Sequence, residues 1–159
     1  MTNRKVTVIV GTIALFAAAV VVIVAGFLFA DRSVELNHSL EVLLHEHLKL
    51  ASARVTQTAL TDRRETDAGG YWSVDVDEEP RKFAVALRDA GFGQSYDDDE
   101  RYFRSLLQRE LNSGDLARYH AFEAGLTLGD GTICETLPCT VVILFTDESP
   151  TIFVAIWKI

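Results

Sequence analysis

No aspartate or glutamate occurs before position 31, and residues 6–30 carry no charged side chain at all. A surplus of positive charge is also missing: 15 Lys and Arg face 23 Asp and Glu, for a formal net charge of −8 over 159 residues. Arg4 and Lys5 are the only basic residues before position 31, so the remainder carries −10. Phosphate recognition needs a basic footprint, so nucleic acid is excluded as a partner. Cysteine is scarce, with two in the chain and no histidine close to either, which falls short of a four-ligand zinc site. Gly-x-Ser-x-Gly, a phosphate loop and His-Glu-x-x-His are all absent. With no nucleophile–base pair or metal constellation to assemble, the expectation is a non-enzyme without a cofactor.

What is present is apolar: 48% of the residues are hydrophobic. The run 6–30 would rise roughly 37 Å as a helix, against a bilayer core of about 30 Å. It therefore reads as a transmembrane signal-anchor in a single-pass inner-membrane protein. A cleaved signal peptide is the competing reading, but its apolar stretch is normally only about 7–15 residues. The positive-inside bias of Arg4 and Lys5 puts residues 1–5 in the cytoplasm and the large domain outside it, in the periplasm or its equivalent.

From 33 to 61, Leu40, Leu44, Leu48, Ala51, Val55 and Ala59 recur at steps of three or four without Gly or Pro. This predicts an amphipathic stalk helix over 31–62 that continues the anchor. Residues 63–159 then form an α+β domain. A strand is expected at 71–77, a helix from Pro80 to a stop at Gly91, and a second helix from about Asp97 to a stop at 112–115. Strands follow at 118–128, 139–146 and 151–158, making about four in a mainly antiparallel sheet. The last two are apolar on both faces, so they read as central strands covered on both sides. The stalk would cover one face and the two short helices the other. Alternatively, one face stays open for a partner, with Val142, Leu144, Phe153, Ala155 and Trp157 as the candidate interaction surface.

Cys134 and Cys139 enclose Glu-Thr-Leu-Pro between two strands, and a disulfide is the plain reading. A redox-active pair would more usually be Cys-x-x-Cys beside a helix start. His38, Glu41 and His45 fall on one predicted helical face, either as solvated positions or as a weak surface metal site, while His47 points elsewhere. His120 lies in line with Phe122 and Leu126, at the end of a core face. The acidic clusters at 75–79 and 97–100 precede predicted helices, where carboxylates favour the positive end of the dipole, and they lack the calcium-loop pattern. Asn37-His38-Ser39 is a glycosylation sequon in form.

An apolar helix running into a stalk, an antiparallel sheet and a late two-cysteine loop resemble the layout of type IV pilins and pseudopilins. That resemblance would imply a filament subunit processed near Gly11. The leader motif itself departs from the pattern, because Gly11 sits inside the apolar run and Phe16 occupies the fifth position after it. The leading expectation is an accessory or sensory subunit of a membrane complex, whose domain binds a partner envelope protein. A receptor for a lipid or other small amphiphile, built on the doubly apolar strands, is the alternative.

Overall fold

The computed structural model describes the backbone of residues 3–62, 68–94, 98–114 and 116–158. Within these, the side chains at 3–16, 25, 27–29, 31–32, 61–62, 68 and 98–100 are not described. The chain divides into two compact units, Met1–Val34 and Glu35–Ile159.

Helix α1 is assigned to Asn3–Val42. Among the described residues, no helix is long and apolar enough to cross a membrane. This corrects the single-pass anchor, and the signal-anchor, inner-membrane and periplasmic assignments that depended on it. The longest unbroken apolar stretch with described side chains is 17–24, which rises only about 12 Å. Residues 6–16 of the expected span, with Gly11 and Phe16, lie outside the described side chains. Within this first unit, Val20, Val21, Val22, Ile23 and Val24 are all exposed.

The second unit is α+β with a six-strand sheet, not about four strands, and every neighbouring pair is antiparallel. The strands are β1 (Ala53–Asp62), β2 (Ala68–Val76), β3 (Gly93–Gln94), β4 (His120–Leu126), β5 (Cys139–Phe145) and β6 (Thr151–Lys158). They lie side by side in the order β1-β2-β6-β5-β4-β3. Helices α2 (Pro80–Asp89) and α3 (Asp98–Glu110) complete the unit.

The stalk expectation fails at its midpoint. After Val42 the chain makes a π-helical turn, Leu43–His47, and the rest of the expected helix is strand β1. Leu48 N–H donates to Leu43 O at 2.9 Å and Leu50 N–H to Leu44 O at 3.0 Å, while Lys49 sits at φ 54°. A left-handed residue ends the helix, and here that residue is a lysine, so no glycine marked the stop. Val55, Thr56, Thr58 and Thr61 are β-branched and favour the strand that follows. A bulge between Val55 and Gln57 breaks the alternation in two, which hid it. Val55 pairs with Val74 and Ala59 with Tyr71, whose side chains face opposite sides of the sheet. The four-residue spacing of Val55 and Ala59 therefore mimicked a helical stripe.

Both faces of β5 and β6 are covered. On one face Val141, Ile143, Val154 and Ile156 pack against Leu40, Leu43 and Leu44, together with Phe83 and Leu87 of α2. On the other, Val142, Leu144, Phe153 and Ala155 pack against Phe103, Leu106, Leu107 and Leu111, all but the last from α3. The helices are thus shared out differently from expectation, with α2 joining the end of α1 and α3 standing alone. Helix α2 begins at Pro80 after Glu79, whose carboxylate pairs with Lys82 at 3.4 Å and does not cap the backbone.

Trp72 ties β2 to α1. Its indole is fully buried, and Nε1 donates to Asn37 Oδ1 at 3.3 Å. The ring folds back over Gly70, where a Cβ would overlap the indole. Gly70→Ala is therefore expected to destabilise the fold by about 1–3 kcal/mol, the usual cost of overpacking. Urea unfolding measures it, and a wild-type midpoint would contradict this packing. Lys49→Gly should shift the midpoint the other way, by about 1 kcal/mol, because glycine carries no Cβ penalty at positive φ.

Candidate interaction site

The hairpin joining β4 to β5 is constrained at several points. The ladder closes at Leu126 opposite Cys139. Gly129 and Gly131 then take φ of 99° and 75°, conformations that side chains other than glycine's adopt only at a cost. Thr132 donates through Oγ1 to Gly129 O at 2.7 Å, and Glu135 N–H donates to Thr132 O at 3.3 Å. The Glu135 carboxylate accepts from Gly131 N–H at 3.0 Å.

Two anchors then fix this loop to the body. Cys134 and Cys139 are bonded with Cα atoms 5.3 Å apart, and both are buried. Ser39, fully buried on α1, donates to Glu35 O at 2.7 Å and accepts from Ile133 N–H at 3.1 Å. Leu128 and Ile133 insert into the core on either side. Outside the core stand four consecutive exposed residues, Glu135, Thr136, Leu137 and Pro138. Leu137 is 54% exposed, an apolar side chain held out on a ring whose two ends are clamped.

The other expected site residues fall elsewhere. Val142, Leu144, Phe153 and Ala155 are buried in the cluster that α3 completes, and Trp157 is half-buried with its ring 5.2 Å from that of Phe103. The faces of β5 and β6 that an amphiphile would line are occupied by the chain's own helices. His45 turns Nδ1–H to Leu50 O at 3.1 Å, which closes the π turn, and His38 lies 3.9 Å from Glu41. Among the described residues, no group of three or more His, Cys, Asp or Glu could hold a metal. His120 is exposed at the start of β4, its ring 6.4 Å from that of Phe145.

Of the acidic clusters, Asp75 is drawn into the sheet. Its carboxylate accepts from Thr151 Oγ1 at 2.7 Å and from Arg54 Nη2 at 3.2 Å, and these two partners hold it below the usual aspartate range. The side chains of the second cluster, 97–100, lie outside the described residues.

Ser39 is the loop anchor that pattern reading named only as part of a sequon. The signal for its anchoring role was position: it sits three residues after Leu36 and beside Leu40, within the buried stripe. Within the sequon Asn37 is exposed on α1 while Ser39 is fully buried. No known protein family, curated protein or solved structure matches this chain.

The disulfide closes a short loop, for which the chain-entropy relation gives about 2 kcal/mol. The double variant Cys134→Ala/Cys139→Ala should lose about that much in urea unfolding. Mild thiol reductant should leave the folded wild-type protein unchanged, since both sulfurs are buried. Rapid reduction without unfolding would contradict this.

Proposed function

We propose that the chain is a protein-interaction module, an accessory or sensory subunit whose α+β unit binds a partner protein through the Cys134–Cys139 loop. The observation that carries this reading is the contrast between the buried ends of the loop and its exposed tip. A surface side chain normally loses conformational freedom on binding, at about 0.5–1.5 kcal/mol each. The disulfide, Ser39 and the two positive-φ glycines pre-order the loop backbone, which lowers the ordering cost of docking it. Leu137 supplies the apolar contact, and full burial of a leucine is favourable by about 1.5–3 kcal/mol. The fit is to a partner with a shallow apolar pocket. No enzymatic role is proposed.

The test places a photo-crosslinking residue at Leu137 of the full chain in its source cells. Position Val85, exposed on α2, serves as the control. One adduct of discrete mass is expected from Leu137 and not from Val85. The disulfide-closed hexapeptide Cys-Glu-Thr-Leu-Pro-Cys should compete with it. Identical adduct patterns from the two positions, or no effect of the hexapeptide, would overturn the assignment.

A further inference from the structure

The chain contains a single Asp–Gly step, Asp130–Gly131, and no Asn–Gly. Such a step is chemically labile, because a glycine, having no Cβ, lets its backbone nitrogen approach the preceding side chain closely. The Gly131 nitrogen gives up its proton and attacks Cγ of Asp130, and a carboxyl oxygen leaves as water to close a five-membered succinimide. Water then opens the ring at either carbonyl. One opening restores aspartate, and the other routes the main chain through Cβ as isoaspartate. Either opening returns the water that was lost, so the chain keeps its composition and no oxidant or reductant is consumed.

Asp130 and Gly131 are both exposed, so water reaches the step. The attacking nitrogen, however, is already engaged, because Gly131 N–H donates to the Glu135 carboxylate at 3.0 Å. A carboxylate is far too weak a base to remove an amide proton. The bond therefore stabilises the protonated, non-nucleophilic nitrogen and ties its peptide plane to Glu135. The turn around it is closed as well, with Gly129 O accepting from Thr132 N–H at 3.4 Å and from Thr132 Oγ1 at 2.7 Å. Gly131 also stands against His38 of α1, whose Cδ2 lies 3.5 Å from the place a Cβ would take. Glu135 is itself held, next to the bonded Cys134 and by its own N–H to Thr132 O at 3.3 Å. Closing the ring requires the Gly131 peptide to rotate out of these contacts. We propose that Asp130–Gly131 is an isoaspartate modification site that Glu135 holds closed in the folded loop, so that modification follows loss of the loop's anchors. The product lengthens the main chain by one methylene inside the turn, three residues before the Ile133 N–H that Ser39 accepts. This chemistry does not depend on the partner role given to the loop.

The test incubates the full chain at neutral pH, either folded or reduced and unfolded in urea, and reads isoaspartate at position 130 by peptide mapping. The folded wild-type chain should form it more slowly than the unfolded chain, a comparison that needs no substitution. In the folded state Glu135→Ala should speed its formation roughly 2- to 10-fold, the factor that one net hydrogen bond represents. Glu135→Gln, which keeps an acceptor oxygen without the charge, should stay close to wild type, as should Thr136→Ala beside it. Equal rates in the folded and unfolded wild-type chain, or a Glu135→Ala rate no greater than that of Glu135→Gln, would overturn the proposal.

Discussion

Strands β5 and β6 carry apolar side chains on both faces, and each face has to be removed from water separately. Val141, Ile143, Val154 and Ile156 need one cover, and Val142, Leu144 and Ala155 need another. A sheet in the middle of three layers satisfies both demands, with helices outside it on either side. The end of α1 and helix α2 form one layer and α3 forms the other. Other features of the unit serve this arrangement. The π turn and the left-handed Lys49 bring the chain off α1 in position to start β1. The hairpin between β4 and β5 carries Leu128 and Ile133 back into the same core.

Several polar groups at that core each meet a specific partner. Ser39 holds the loop after β4, Trp72 Nε1 reaches Asn37, and Asp75 joins Arg54 and Thr151 at the margin between β1, β2 and β6. These contacts link segments far apart in the chain, Ser39 with Ile133 and Asn37 with Trp72. They add to the nonspecific burial a definite register between α1, the sheet and the disulfide loop. An unsatisfied group at any of these places would cost about 1–3 kcal/mol, so the packing and the polar contacts constrain each other.

Helix ends show how far pattern reading reached. The stop at Gly91, with φ 87°, and the stop near Asn112, with φ 47°, were legible because glycine and asparagine are the residues that tolerate a left-handed turn. In each, a backbone N–H reaches back five residues, Phe92 to Leu87 and Ser113 to Gln108. The stop at Lys49 uses the same conformation without either residue, and the reach from Leu50 to Leu44 is one residue wider because the turn is π-helical. That one unmarked ending concealed β1 and turned an edge strand into an expected stalk. The candidate site was legible in part: the two cysteines stood out, whereas Ser39 and the exposure of Leu137 did not.

Composition and local pattern by themselves determined the α+β character, helices α2 and α3 and strands β2, β4, β5 and β6. Each of these carries its own periodicity and a turn residue at its boundary. Only the tertiary structure decided the strand order, the position of β1 at one edge and the covering of Val142, Leu144, Phe153 and Ala155 by α3. The physical reason is that an apolar side chain declares that it will be buried, not by what. An exposed loop or edge becomes visible only once the elements that bury everything else have been placed.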